Sequence, residues 1–344
     1  MAFRPLKESE FRGALAPGTL EYSVELFRGI DIDWLGKKWY FLGFSLIFSV
    51  AGLLSIFFWH GIPKGVDFKG GTLVYVQFDQ APNEDHIRSA MDKAGLHDAT
   101  IQRISSGALS QGAKEEVISL PMRDTSEAAL DAGRAGVLGA LTDGYTDSGF
   151  SIQQVEVVGP QVGQQLTHQA ELATLYSLLG MLVYLWFRFE LIYGVAAVVA
   201  VFHDTLITVG AFSLTNQEIT LTVIAAILTL IGYSMNDTIV VFDRIRENLR
   251  TMRREPLSVV VNHSINQTLS RTILTSGLTF LTVLSLYLFG GEVLHGFSFA
   301  LVVGILIGTY SSIAVAAPML VAYQDWRVSR GNAASLPAGK KAKA

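Results

Sequence analysis

The chain has 344 residues, half of them hydrophobic, with 26 Lys and Arg against 30 Asp and Glu, a net charge of −4 and no cysteine. That balance argues against a nucleic-acid partner and excludes disulfide staples, thiol catalysis and cysteine metal sites. Mean hydropathy is positive, and the apolar residues are bunched into runs near the ~20 residues that span a bilayer.

In chain order, residues 1–38 form a basic segment ahead of a first span, Trp39–Trp59. That run is too long and too late for a cleaved signal, so it is expected to be a retained anchor. Residues 60–168 follow, enough for a small domain. TLVYVQFD (72–79) reads as a strand from its β-branched and aromatic residues. NEDHIRSAMDKAG (83–95) reads as a helix with Asn83 as N-cap and Gly95 as its stop. ATIQRIS and EVISLPM read as strands, DTSEAALDAGRAGVLGAL (124–141) as a helix and FSIQQVEVVG as a last strand. The order β-α-β-β-α-β is that of an α+β, ferredoxin-like domain.

Residues 169–323 hold the other five candidate spans: Glu171–Phe187, Leu191–Ser213, Ile219–Phe242, Thr272–Phe289 and Phe297–Tyr323. Between the fourth and fifth, residues 244–271 alternate charged and apolar side chains, which predicts an amphipathic helix on the membrane surface. Residues 324–344 form a tail, expected to be disordered at its end, with terminal lysines suited to anionic lipid. Lys and Arg crowd the first 38 residues, the 244–271 segment and the tail, and are absent from 216–218 and 290–296. By the positive-inside rule both termini are expected in the cytoplasm and the 60–168 domain outside it. The fold class is therefore a polytopic α-helical membrane protein with six transmembrane helices and one extracytoplasmic domain between helices 1 and 2.

The polar residues inside these runs are the candidate site. At 100° per residue, Tyr233, Asn236, Asp237 and Arg244 share one arc of the fourth span. Arg271, Thr275, Leu278, Thr279 and Thr282 share an arc of the fifth, so the two stripes are expected to face each other. A buried carboxylate costs several kcal/mol unless it is paired or protonated. Asp237 with Arg271 is either a static ion pair or a switch: burial favours the protonated carboxyl, and an approaching Arg favours its release of the proton. Each proton crossing delivers about 2.3 kcal/mol per 100 mV and about 1.4 kcal/mol per pH unit. His203 and Asp204 on the third span are either a proton relay or a pair that positions helices, and Thr275 belongs to the same class. Gly296, Ala300, Gly304, Gly308 and Ser312 place a small residue at every fourth position of the sixth span, which suits close helix packing. In DFKGGT (67–72), Gly70 and Gly71 permit a tight turn into the first strand, and Asp67 is expected to bond that turn. The other histidines show no ligand spacing, so no metal is expected. No Walker, HExxH or GxSxG pattern supports a nucleotide site or an enzyme.

GYSMNDTIVVFDRIREN, LSRTILTSGLTFLTVLSLYLFGG, GFSFALVVGILIGTYSS, DFKGGT and VVGPQVGQQL together resemble the SecF family of bacterial protein-export subunits, over residues 35–325. The resemblance implies half of a resistance-nodulation-division (RND) type transporter, completed by a separate SecD chain. It also implies attachment to the SecYEG translocon, contact with a translocating preprotein and residence in the bacterial cytoplasmic membrane. The proton-motive force would then drive export, with Asp237 and Arg271 matching the family's proton-conducting pair and Asn236 beside them. No cofactor is implied beyond the coupling ion, a proton or sodium. Two alternatives stay open: a six-helix half of another RND exporter of lipids or small molecules, and a scaffold that transports nothing.

Overall fold

The computed structural model describes residues 31–104, 114–121, 127–189 and 191–330. Helix α1 (Lys38–Leu54) runs on through a π-helical turn at Ser55–Trp59. A single turn, α2 (Val66–Lys69), leads into β1 (Gly71–Phe78), followed by α3 (Glu84–Lys93), β2 (Thr100–Ile104) and β3 (Glu115–Pro121). Helix α4 (Glu127–Gly144) and β4 (Phe150–Val158) complete the domain. The rest is helical: α5 (Pro160–Arg188), α6 (Leu191–Thr215), α7 (Leu221–Thr251), α8 (Leu257–Phe289), α9 (Glu292–Ser311), a second π turn at Ser312–Ala316, and α10 (Ala317–Ser329). Six helical stretches are long and apolar enough to cross a membrane, the last running from Leu294 to Ser329 through that π turn.

The four strands pair in the order β2-β3-β1-β4, every neighbour antiparallel. Val74, Val76 and Phe78 of β1 alternate inward and pack with Ile118, Ile87, Met91 and Leu141. Asn83 caps α3 by accepting from the Asp85 amide at 3.0 Å, and Gly95 just beyond the helix takes φ +77°. β1 sits between β3 and β4 and is thus one of the two inner strands, held on both edges.

Three boundaries differ from the sequence reading, each for a physical reason. The second span's helix starts at Pro160, not near 169. PQVGQQLTHQAE is too polar for a hydropathy signal, yet proline suits a first helical turn and that turn packs on α2. The 244–271 segment is not a separate surface helix. It is the last turns of α7, a turn, and the first half of α8. At 31 and 33 residues these helices are about 46 and 50 Å long, well beyond a ~30 Å apolar layer. Their protruding ends pack on each other, with Asn248 Nδ2 donating to Ser264 Oγ at 2.9 Å and Gln267 Oε1 at 2.8 Å. The alternation of polar and apolar residues thus marks a helical hairpin with a buried seam of Ile245, Val261 and Ile265. The third is the 324–344 tail: α10 carries helix on to Ser329, and residues 331–344 and 1–30 lie outside the described residues.

Residues 31–35 lie along the start of α8. Asn262 and Asn266 hold them: Asn262 Oδ1 accepts from the Trp34 amide at 2.8 Å, and Asn266 Oδ1 accepts from Trp34 Nε1 at 3.0 Å.

Candidate functional site

Asp237 sits midway along α7, 3% exposed. Its Oδ2 accepts a hydrogen bond from Ser276 Oγ of α8 at 2.7 Å. Among the described residues it makes no ion pair. Arg271, one turn and a half before Ser276, is exposed and interacts with Asp237 electrostatically rather than by contact. Asn236 and Thr275 are exposed too, and the Thr275 hydroxyl donates to the Arg271 carbonyl of its own helix at 3.0 Å. Leu278 and Thr282 are likewise exposed. The Arg271 stripe therefore points out of the subunit instead of facing Asp237. The opposite side of α8, with Thr272 and Ser276, meets α7. Tyr233 Oη and Thr272 Oγ1 are buried with no hydrogen-bond partner among the described residues. Each lies one helical turn from Asp237 or Ser276, so polar groups without partners flank the carboxylate. Sequence reasoning missed Ser276 and Thr272, because helical phase was counted from the charge at 271.

Asp204 is a second buried acid, 1% exposed, with fuller partnering. Its Oδ1 meets His203 Nδ1 at 3.0 Å, and its Oδ2 accepts from Ser234 Oγ at 2.6 Å and Ser311 Oγ at 2.7 Å. One carboxylate thus ties α6, α7 and α9 together. The close approach this needs comes from the small-residue stripe of α9. A Cβ built on Gly308 would lie 3.1 Å from Ser234 Cβ, and one on Gly304 2.3 Å from Leu230 Cδ2. On α6, a Cβ on Gly210 would lie 2.7 Å from the Cα of Gly52, and Ser55 and Ser213 share a hydroxyl bond at 2.7 Å nearby.

DFKGGT lies at the root of the domain, against the start of α7. Asp67 Oδ2 accepts from the amide of Leu221, 154 residues away, at 2.8 Å. It therefore bonds a helix end rather than its own turn. Gly70 has φ +74°, and a Cβ on Gly71 would lie 2.3 Å from the Leu120 carbonyl oxygen, so both positions need glycine. Glu218, half-buried beside this root, escaped the sequence reading. Burial raises its carboxyl above the usual range, Lys69 opposes that and Asp67 adds to it. No cluster of His, Asp and Glu among the described residues could hold a metal ion.

These features have close counterparts. A family model for the C-terminal region of the protein export membrane proteins SecD and SecF matches residues 139–326. The SecD/SecF GG motif matches residues 57–82, which include Asp67, Gly70 and Gly71. A protein translocase subunit SecF from Koribacter versatilis is 56% identical, covering 90% of this chain and 96% of its own. One from Vibrio alginolyticus is 43% identical, covering 79% and 84%. The crystal structure of SecDF from Thermus thermophilus, described as a translocon-associated membrane protein, is similar with a TM-score of 0.76 at 34% identity. That match covers 86% of this chain and 39% of the SecDF chain. A super-membrane-facing form of SecDF is similar with a TM-score of 0.63. The chain thus spans about two-fifths of the length of these solved chains.

Proposed function

Since this chain belongs to the SecD/SecF protein-export family, as a SecF subunit of the SecDF translocase complex, we propose that it couples proton flow to preprotein movement across the cytoplasmic membrane. It is a multi-pass inner-membrane accessory subunit of a translocase, and SecD is its partner. Both termini face the cytoplasm and the β-sheet domain faces outward, as the Lys and Arg distribution favours. The SecYEG translocon, a translocating preprotein and membrane lipid are its further partners. The proton-motive force supplies the energy.

The state of Asp237 carries this reading. Asp204 is held by three side chains from two neighbouring helices and its own, as a structural joint would be. Asp237 is as deeply placed, yet one hydroxyl is its only side-chain hydrogen-bond donor among the described residues. A buried carboxylate so lightly held is tolerated where it exchanges a proton. Tyr233 and Thr272 supply buried hydroxyls one helical turn from Asp237 and Ser276, and Arg271 and Asn236 lie on the surface that SecD would cover. Approach of Arg271 would favour release, and its withdrawal would favour uptake.

The test is preprotein translocation into inverted membrane vesicles, with and without a proton gradient, at matched levels of assembled SecD–SecF. Asp237→Asn is expected to lose only the gradient-stimulated component. Equal stimulation in both would replace this reading with a scaffold. A sodium gradient in place of the proton gradient is expected to give no stimulation.

A further inference from the structure

The hinge between the domain and the membrane helices does not depend on the first span alone. After that span, Pro63 and Gly65 pair in parallel with the loop before α7: the Ile219 amide donates to the Pro63 carbonyl at 2.7 Å, and the Gly65 amide to the Ile219 carbonyl at 2.9 Å. Thr220 Oγ1 accepts from the Val223 amide at 3.4 Å, and Asp67 takes the Leu221 amide. The first turn of α7 is thus capped partly from its own chain and partly from the domain root. A carboxylate is well suited to that end, where the helix dipole is positive. Phe68 is buried in the same apolar cluster as Ile219 and Val223. Four residues after Asp67, Gly71 enters β1, an inner strand of the sheet.

We infer that Asp67 is a positioning residue that couples the fourth span to the outer domain, so that displacement of the Asp237 helix moves the domain root directly. Leu221 and Asp237 lie on one continuous helix, about four turns and roughly 24 Å apart, and a helix of that length transmits displacement as a rod. The path from Leu221 to β1 contains no flexible linker: it is one hydrogen bond, one helical turn and a glycine pair fixed by close contact. Gly163, at the start of α5, closes the other side, where a Cβ would lie 2.9 Å from the Phe68 carbonyl oxygen. The first span, by contrast, is joined to the root along the chain by residues 60–65.

The inference rests on the coupling role of Asp237 and is tested beside it. The chain has no cysteine, so cysteines placed at exposed Gln153 on β4 and exposed Leu214 on α6 are its only sites for spin labels, with SecD used in a cysteine-free form. In the assembled SecD–SecF complex, Asp237→Asn is expected to shift the distance between these labels. Adding Asp67→Ala is expected to abolish that shift and, alone, to lower gradient-stimulated translocation. Asp67→Asn keeps an acceptor oxygen and is expected to retain most of both signals, which separates positioning from charge. A shift that persists in the Asp67→Ala background, or wild-type stimulation in that variant, overturns the inference while leaving the Asp237 reading intact. Gradient stimulation that survives Asp237→Asn itself overturns both.

Discussion

At the residue scale, two acids in one bundle have different surroundings and so different expected consequences. Removing Asp204 leaves Ser234 and His203 without this acceptor and Ser311 with only the Gly308 carbonyl of its own helix, and each buried group left unpaired costs about 1–3 kcal/mol. Asp204→Ala is therefore expected to lower the thermal stability of the purified complex, whereas Asp237→Asn is expected to leave it near wild type and affect export. Thermal unfolding in lipid nanodiscs, read beside the vesicle assay, separates the two. Ser276→Ala removes the hydroxyl that holds Asp237 and is expected to alter the pH dependence of gradient-driven export while basal export persists. Glu218 supplies a pH effect of known sign. Its carboxyl is raised by burial, opposed by Lys69 and assisted by Asp67, so the folded state holds this proton more tightly than the unfolded chain. Stability is then highest below the ordinary carboxylate range and falls as pH rises through the raised value. Glu218→Gln is expected to flatten that part of the pH–stability curve and to stabilise the protein at neutral pH. A variant curve parallel to wild type would refute that assignment.

At the element scale, the helices meet where side chains are missing. Gly52 and Gly210 bring α1 and α6 into backbone contact, where a methyl group would lie 2.7 Å from a Cα atom. Backbone cannot rotate away as a side chain can, so Gly210→Ala is expected to cost about 1–3 kcal/mol through overpacking. A matching fall in the unfolding midpoint, with Gly43→Ala as the control at a position with open space around it, checks this. The stripe on α9 was legible because its period of four is a property of one helix. Its target, α7, was not legible, because periodicity gives a face but not the neighbour of that face. The same limit explains the fifth span. Its threonines bond their own helix one turn back, as Thr279 does to the Thr275 carbonyl at 2.9 Å, so a polar stripe was mistaken for an inward face.

At the scale of the whole molecule, the chain leaves much of its apolar helix surface uncovered by itself. The apolar windows of the second and fifth spans are only 6% and 17% buried within the chain, against 61% for the sixth. Leu278 and Leu281 are 66% and 61% exposed on the side that carries Arg271. With SecD as partner, this face of α8 is the expected contact. Leu278→Cys should crosslink to a cysteine scan of SecD membrane helices, while Phe187→Cys on the second span, 94% exposed, should label with lipid-soluble reagents instead. Exchange of those two outcomes would place SecD on the other side of the subunit.

The sequence alone determined the number of spans, the position and element order of the domain, and which carboxylates lie inside apolar runs. Those properties follow from local hydropathy, from periodicity and from the high cost of a charge in an apolar run. Only the tertiary structure decided which groups touch those carboxylates: Ser276 on Asp237, Ser234 and Ser311 on Asp204, and Asp67 on the first turn of a helix 154 residues away. A hydrogen bond requires about 3 Å between particular atoms. Serines are too common, and a helix amide too anonymous, for spacing along the chain to reveal which of them will meet.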